Sequence, residues 1–256
     1  MLQGGLSLIE SMPVGQACPQ PPVASGWGVL EFDILQVTRY AMNCSVLWCG
    51  ETHRAAVIDP GGNLSEIVNF LELMELEAEV AMVTHGHFDH AGGAALFAEM
   101  TGARIEGPHS GDAHCIARLE ELGEQYGVPA RSYAPARWLE HGDRVRFGNV
   151  SMEVLHCPGH CRGHVAYFSA EIRQAWVGDI LFRDAIGAWD HPDGDLPTLV
   201  GSIHERLFPL GDDVAFVPGH GETSTFGRER LHNPFVGEEA MARWRKRFPV
   251  ADTKPA

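Results

Sequence analysis

Seven consecutive residues, Thr84 to His90, carry a high density of metal-binding side chains in the order THGHFDH. His85 and His87 are two residues apart, so both can face one side of an extended segment and bind one cation. Asp89 and His90 lie just beyond, where the chain turns away. The HxHxDH spacing therefore predicts two adjacent cations rather than one.

Three further donors of the same kind lie far along the chain. His160 in CPGHC, Asp179 in WVGDILF and His220 in VPGHGE each stand at the end of a strand-like run, with a glycine before them. Imidazole and carboxylate are the ligands that a catalytic first-row metal prefers, and such a site also keeps a position for water. These residues predict a metal centre assembled from several strand ends.

The first half of the chain must position THGHFDH. EFDILQV, CSVLWC, AAVIDPGG and EVAMVT are predicted strands because they are short apolar runs bounded by turn residues. NLSEIVNFLELMELEA is a predicted amphipathic helix with Asn63 or Ser65 at its N-cap, and its acidic end is predicted to be a solvated helix face. AGGAALFAEMTG is a predicted helix, so THGHFDH occupies a strand-to-helix loop. Ligands gather beyond the carboxyl ends of strands in α/β sheets.

The second half repeats this order of elements. VSMEVLHCPGH, HVAYFS, QAWVGDILF and DVAFVPGH are predicted strands, and GDLPTLVGSIHERLFPLG supplies a helix between the last two. Residues 1–27 contain Pro19, Pro21 and Pro22, which oppose regular structure, so we predict a flexible N-terminal extension there. Residues 28–256 are predicted to form a single domain.

These motifs together resemble the metallo-β-lactamase superfamily and, within it, the short glyoxalase II-like (hydroxyacylglutathione hydrolase-like) subgroup. The resemblance runs from about Val29 to Val236, and it rests on AAVIDPGG, THGHFDH, CPGHCRGHVAYF, VGDILF, IHERLFPLGDD, VPGHGE and FGRERLHNPFV. The resemblance implies an α/β (α+β) fold, the four-layer αββα metallo-β-lactamase sandwich, in which two similar halves meet at the metal cleft.

The family pattern also implies a ligand set. It puts His85, His87 and His160 on one divalent metal ion and Asp89, His90 and His220 on the other, with Asp179 bridging the two. Zinc is the first expectation, and iron or manganese would suit the same ligands.

Two such ions about 3.5 Å apart hold a bridging hydroxide at neutral pH, beside which Asp89 has the catalytic role. The resemblance thus implies a hydrolase of small-molecule thioesters, with an S-2-hydroxyacylglutathione as the first substrate. Two alternatives on the same fold stay open. A persulfide dioxygenase would use one iron on two histidines and an aspartate, and a lactone or ester hydrolase would use the same pair of metals.

Several residues around the ligands have two interpretations. Asp59 in VIDPGG orients a ligand histidine through its second ring nitrogen, or it is a turn aspartate before Pro60. For His164 a structural role is favoured over a third imidazole near the metals. Cys157 and Cys161 bracket His160, and buried idle thiols are favoured over ligands or a redox pair.

The segment DAIGAWDHPDGD departs from the subgroup, which usually has SIGRTD after GDxLF. Ala188 and Trp189 replace the cationic and the small position, and only Asp190 is kept. In the subgroup, the cationic side chain at this position would hold a carboxylate of glutathione. The loss of that side chain costs about 1.5–3 kcal/mol of binding free energy. Arg183 is the candidate substitute on the same segment.

The charge of the chain disfavours some classes of binding partner. With 19 basic and 34 acidic residues the formal charge is −15, which disfavours nucleic acid and anionic membranes as partners. No run is long enough to span a membrane, and the N-terminus lacks a basic region before its short apolar stretch. Six cysteines at irregular spacings are expected to be reduced thiols. These features predict a cytoplasmic protein, and they leave its oligomeric state open.

Overall fold

Two β-sheets form the centre of the molecule in a computed structural model that describes residues 30–247, with side chains to residue 243. The predicted extension over residues 1–27 lies outside the described residues. The single domain predicted for residues 28–256 stays a prediction.

The first sheet has the strand order β1-β2-β3-β4-β5. Its strands β3, β4 and β5 run parallel, whereas β1 and β2 are antiparallel additions at one side. The strands are β1 (Leu30–Val37), β2 (Met42–Cys49), β3 (Arg54–Ile58), β4 (Glu77–Met82) and β5 (Arg104–Glu106).

The second sheet has the order β13-β12-β9-β8-β7-β6, and a separate hairpin joins β10 to β11. Within it only β9 and β12 are parallel. The strands are β6 (Arg144–Phe147), β7 (Val150–His156), β8 (Val165–Ser169), β9 (Gln174–Gly178), β10 (Leu181–Phe182), β11 (Ala185–Ile186), β12 (Ala215–Pro218) and β13 (Ser224–Thr225).

Helices connect the strands in both halves. They are α1 (Leu64–Leu73), α2 (Phe88–Ala91), α3 (Ala94–Thr101), α4 (Ala113–Ile116), α5 (Leu119–Tyr126), α6 (Leu196–Ser202), α7 (Phe226–His232) and α8 (Glu238–Arg247). A short 3₁₀ turn, Ser110–Asp112, precedes α4. A π-helical turn, Ile203–Leu207, and a 3₁₀ turn, Phe208–Leu210, follow α6.

Three apolar clusters hold these elements in four layers. Along β2 and β9, successive side chains point to opposite faces, so each sheet can bury both faces. Val46 packs toward α1 and α3, whereas its neighbour Leu47 packs between the sheets. Trp176 lies between the sheets, whereas Val177 packs toward α6 and α7. The order is helix, sheet, sheet, helix, which confirms the predicted αββα sandwich.

The predicted helix NLSEIVNFLELMELEA is shorter in the structure. α1 ends at Leu73, and Glu75 adopts a positive φ of 54° that turns the chain. Glu77 therefore begins β4, and the acidic run from Glu72 to Glu79 is not one helix face. At the other end Asn63 is the N-cap residue, but its side chain makes no capping bond. It donates to Glu66 Oε1 instead.

Glycines shorten two other predicted elements. The segment AGGAALFAEMTG contains the end of α2 and then α3, because the helix is interrupted at Gly92 and Gly93. The backbone of Pro60 passes close to this break: a Cβ on Gly93 would lie 2.2 Å from the Pro60 carbonyl oxygen. The predicted strand QAWVGDILF ends at Gly178, whose φ of +50° turns Asp179 out of the sheet. Within residues 30–247, no helix combines the length and apolar character needed to cross a membrane.

Candidate metal centre

The polar residues identified in the sequence follow the carboxyl ends of strands in both sheets. In the first sheet, Asp59 follows β3 directly and His85 lies three residues after β4. In the second, Asp179 follows β9 directly and His220 lies two residues after β12. Because β3 and β4 are parallel, and so are β9 and β12, these ends meet at one edge of each sheet.

His85, His87 and His160 form one group of ring nitrogens. His87 Nδ1 lies 3.1 Å from His85 Nε2 and 3.1 Å from His160 Nε2. His160 reaches this place on the loop after β7. In that loop Gly159 has a φ of +128°, and a Cβ on it would lie 2.2 Å from the backbone nitrogen of Leu199 in α6. His85 and His160 are buried, so three imidazoles converge in a place with little solvent.

Asp89, His90 and His220 form a second group. His220 Nε2 lies 3.3 Å from Asp89 Oδ2 and 3.3 Å from His90 Nε2, and His90 Nε2 lies 3.9 Å from Asp89 Oδ2. α2 carries Asp89 and His90, and the loop after β12 carries His220. This group therefore joins the two halves of the molecule.

Asp179 lies between the two groups. Its Oδ2 is 3.8 Å from His160 Nε2 and 3.9 Å from His220 Nε2, and its Oδ1 is 3.4 Å from His90 Nε2. Asp179 Oδ1 is buried and makes no hydrogen bond. A buried carboxylate oxygen needs a positive partner, so this atom is placed to face either a cation or a proton on His90 Nε2, 3.4 Å away.

The outer nitrogens of three histidines each contact one acceptor. His90 Nδ1 lies 2.8 Å from Asp59 Oδ2, and His160 Nδ1 lies 2.8 Å from the Ala188 carbonyl oxygen. His220 Nδ1 lies 3.1 Å from the Tyr40 carbonyl oxygen. An Nδ1–H that donates to such an acceptor leaves the Nε2 lone pair facing the centre, as a metal ligand requires.

These tautomers test whether the residues fit a metal. When His90 and His220 both donate from Nδ1, two Nε2 lone pairs face each other at 3.3 Å. Two acceptors cannot bond to each other, and a cation between them removes the conflict. The donor set of imidazole and carboxylate is that of first-row divalent metal ions. The residues therefore fit divalent metal ions.

Burial controls the charge of the first group. It lowers the pKa of His85 and His160, and it lowers that of His87 to about 3. These imidazoles are neutral at neutral pH, as ligands must be.

The second group holds opposite charges in the metal-free protein. Burial alone would lower the pKa of His90, but the carboxylates of Asp179 and Asp89 outweigh it and raise that pKa well above its usual value. For Asp179, burial opposes ionisation, but the charge on His90 outweighs it and holds the pKa of the carboxyl well below its usual range. A proton on His90 thus takes the place that a cation would otherwise fill.

His164 lies behind the centre rather than in it. Its Nε2 accepts the backbone N–H of Asp179 at 3.1 Å, and its ring stacks on that of His85 with the centroids 4.5 Å apart. These contacts position two of the predicted ligands. The structural role of His164 stays a prediction.

Arg183 and Asp190 lie farther out. Arg183 is exposed and forms an ion pair with Glu222. Asp190 is exposed. The two residues give no polar contact to the seven donors.

The sequence did not identify four groups that support the donors. The carbonyls of Tyr40 and Ala188 act through the backbone, which no side-chain pattern reveals. Buried Asp112 accepts the N–H of Gly86 at 2.8 Å and that of Gly163 at 2.5 Å, so it ties together the loops that carry His87 and His160. Cys161 Sγ lies 3.3 Å from His87 Nε2, the outer nitrogen of that ring. The sequence favoured an idle thiol here. The position of Cys161 directly after His160, a predicted ligand, was a signal that the thiol lies near the predicted donors.

Comparison with known proteins identifies the class. The family model described as the metallo-beta-lactamase superfamily matches residues 37–220. That match spans most of the chain and every one of the seven donors. The chain belongs to the metallo-beta-lactamase superfamily.

One relative and two solved structures are similar to most of this chain. Hydroxyacylglutathione hydrolase GloC from Haemophilus influenzae is 36% identical over 213 residues, which cover 82% of this chain and 100% of that protein. The crystal structure of TTHA1623 in a di-iron-bound form has a TM-score of 0.72 and 31% identity, over 79% of this chain and 99% of that one. The BLEG-1 B3 metallo-beta-lactamase has a TM-score of 0.74 and 28% identity, over 80% and 99%.

Proposed function

We propose that this protein is a hydrolase that uses two divalent metal ions to cleave small-molecule thioesters, with an S-2-hydroxyacylglutathione as the first substrate. One observation carries the proposal. Two groups of donors, one of three histidines and one of Asp89 with two histidines, lie on either side of Asp179. The relation to the GloC hydroxyacylglutathione hydrolase supports the choice of substrate.

Each part of the proposed site has a chemical role. His85, His87 and His160 would hold one ion, Asp89, His90 and His220 the other, and Asp179 both. Bound at these places, the ions supply a water of lowered pKa and polarise the substrate carbonyl. Zinc is the first choice, and the di-iron form of TTHA1623 keeps iron in consideration.

Asp89 can direct the attacking water. Burial raises the pKa of its carboxyl, but the charge on His90 and the hydrogen bond from His220 outweigh that effect and lower it. Asp89 is therefore ionised at neutral pH. One oxygen can face the cation while the other accepts a hydrogen bond from the water and aims it at the carbonyl carbon.

The chain offers no competing nucleophile at this place among its described residues. Cys161 is the nearest thiol, but burial raises its pKa well above the usual value, so it remains protonated and unreactive. A thiolate is a good leaving group and needs little help from an acid. Thioester hydrolysis therefore requires no protein group beyond the donors proposed to hold the two metal ions.

Substrate profiling of the metal-loaded enzyme tests the proposal. S-lactoylglutathione, an uncharged thioester, a lactone and glutathione persulfide would be compared, with the metal content of the same sample measured. We expect thioester hydrolysis by a protein whose candidate centre holds two metal ions. A His87→Ala variant should lack the activity and hold fewer metal ions than the wild type. One iron per chain with oxygen uptake on the persulfide would establish the dioxygenase alternative instead. Turnover of the lactone alone would replace the thioester as substrate.

A further inference from the structure

A second cluster of metal-binding side chains lies outside the seven donors. It consists of His114 and Cys115, which are consecutive in α4, and Asp193, on the loop before α6. His114 Nε2 lies 2.9 Å from Asp193 Oδ2 and 3.4 Å from Cys115 Sγ, and Cys115 Sγ lies 3.8 Å from Asp193 Oδ2. One atom of each side chain therefore faces a common point.

These separations match tetrahedral zinc. With Zn–N and Zn–O bonds of about 2.0 Å and a Zn–S bond of about 2.3 Å, a tetrahedral site places nitrogen and oxygen about 3.3 Å apart and sulfur about 3.5 Å from either. Each of the three distances lies within about 0.4 Å of the corresponding value. Small side-chain rotations would complete the geometry.

The outer atoms of two of the donors are held in place. His114 Nδ1 lies 3.1 Å from the Gly111 carbonyl oxygen, which accepts its N–H. Arg162 Nε lies 3.1 Å from Asp193 Oδ1, so Oδ2 is the oxygen that faces the cluster. Zinc-binding histidines usually donate their second N–H to a carbonyl or carboxylate, and ligand carboxylates are hydrogen-bonded in turn.

These hydrogen bonds leave two acceptor atoms facing each other, and a cation between them would remove the repulsion. When His114 donates from Nδ1, its Nε2 lone pair faces the Asp193 carboxylate at 2.9 Å. Two acceptors at this distance need a proton or a metal ion between them. A proton would satisfy this pair alone, whereas a metal ion would bind the Cys115 sulfur beside the same two atoms as well.

We propose that His114, Cys115 and Asp193 bind a zinc ion, separate from the two ions of the candidate metal centre, with water as the fourth ligand. A thiolate beside an imidazole selects zinc over magnesium, calcium or manganese. The proposal does not depend on the hydrolase assignment.

The ion would connect α4 to the loop that borders the metal centre. Within that loop His191 has its ring centroid 5.7 Å from that of His87 and 5.4 Å from that of His160. On the other side, Cys115 packs against the THGHFDH segment, since a Cβ on Gly86 would lie 2.6 Å from Cys115 Cβ.

Metal counting tests the site. Wild type, Cys115→Ser and His114→Ala would be equilibrated with zinc, freed of loosely bound metal and analysed for zinc per chain. We expect each variant to hold one ion fewer than wild type while keeping its thioesterase activity. His53→Ala, which removes another exposed histidine, is the matched control and should keep the wild-type count. Equal counts in all four proteins would overturn the proposal.

Cobalt substitution identifies the ligand sulfur independently of activity. Because Cys161 is the other thiol near histidine ligands, Cys115→Ser and Cys161→Ser would be compared. A thiolate-to-cobalt charge-transfer band should be present in wild type and Cys161→Ser and absent in Cys115→Ser. Persistence of the band in Cys115→Ser, or its absence from wild type, would rule out the Cys115 site. His87→Ala should retain the band, which separates this site from the hydrolase centre.

Discussion

Asp59 differs from the other groups that hold the outer nitrogens of the ligand histidines. Tyr40 and Ala188 offer neutral carbonyls, whereas Asp59 offers a buried carboxylate that also accepts the N–H and the hydroxyl of Thr84 at 2.7 and 2.6 Å. A carboxylate on the far side of an imidazole makes it a more basic ligand. The contact of Asp59 with His90 is consistent with the interpretation in which Asp59 orients a ligand, and that role stays a prediction.

Replacing Asp59 with asparagine should weaken the second metal. Asparagine tolerates the positive φ of 54° at this position, so the backbone is preserved. Its neutral amide oxygen accepts from His90 Nδ1 more weakly than a carboxylate does, so metal affinity should fall about 10- to 100-fold. Competition with a coloured zinc chelator measures this affinity. Asp190→Asn, at an exposed aspartate, is the control, and equal affinities in the two variants would contradict the role given to Asp59.

Gly219 provides a steric test of the same centre. A Cβ there would lie 2.1 Å from Asp179 Oδ1 and 2.6 Å from His90 Cε1. Gly219→Ala should therefore displace both side chains, remove at least one metal ion and destabilise the protein by about 1–3 kcal/mol. Gly201, within α6, has no atom near its missing Cβ, so Gly201→Ala should instead stabilise the protein by about 0.5–1 kcal/mol. Urea unfolding with metal analysis distinguishes these outcomes; similar effects of the two substitutions would show that Gly219 has no special constraint.

The donors could be predicted from the sequence because their types and spacing are themselves the signal. Seven residues of only two types, in loops after strands or at the short helix α2, predict a metal centre without coordinates. The groups that orient them could not all be predicted. Backbone carbonyls of Tyr40 and Ala188 have no residue type associated with them, and buried Asp112 resembles any loop aspartate until its two N–H partners are known.

At the scale of elements, strands were easier to predict than their ends. Apolar runs such as that of β2 are buried along their whole length, so composition alone marks them. Where an element stops depends on single backbone conformations. Glu75 ends the turn after α1 with a positive φ that propensity does not favour, and Gly178 ends β9 in the middle of an apolar run. Tertiary contacts, which lie outside the local sequence, select both conformations.

Asp112 connects two elements that carry metal donors, and its removal should be costly. Asp112→Ala would leave the buried N–H groups of Gly86 and Gly163 without acceptors. Each hydrogen bond to a charged group contributes about 1.5–3 kcal/mol, so the loss of both should lower the free energy of unfolding by about 3–6 kcal/mol. Urea unfolding of the metal-free proteins measures it, with exposed Asp33→Ala as control. A loss no larger than that of the control would show that the two loops hold their positions without Asp112.

For the whole molecule, the centre exists only when the two halves meet. The first half contributes His85, His87, Asp89 and His90, and the second contributes His160, Asp179 and His220. In the proposed assignment, neither half alone would hold a complete set of ligands for either ion. Metal binding and the docking of the two sheets are therefore linked, and binding free energy becomes folding free energy.

The shifted pKa values of the histidines make the stability of the folded protein depend on pH. Two sets of histidines act in opposite directions. The folded protein lowers the pKa of His85, His87, His160 and His164 below the ordinary 6.5, chiefly through burial. Their contribution to stability is present above pH 6.5 and is lost as the pH falls toward their folded values. Although burial opposes it, nearby carboxylates raise the pKa of His90 and His220. Their contribution is present below pH 6.5 and is lost as the pH rises through their folded values.

The metal-free protein should therefore be most stable near pH 6.5 and lose stability on both sides. On the acid side four histidines resist protonation, and on the alkaline side His90 and His220 release their protons. In the metal-loaded protein the alkaline decline should disappear, because cations replace those two protons, while the acid decline becomes steeper as protons compete for the ligands. Calorimetry of both forms at about pH 5, 6.5 and 8 measures the difference. A metal-free melting temperature that rises steadily to pH 8 would contradict the charge assigned to His90 and His220, and with it the inference that a cation takes the place of their protons.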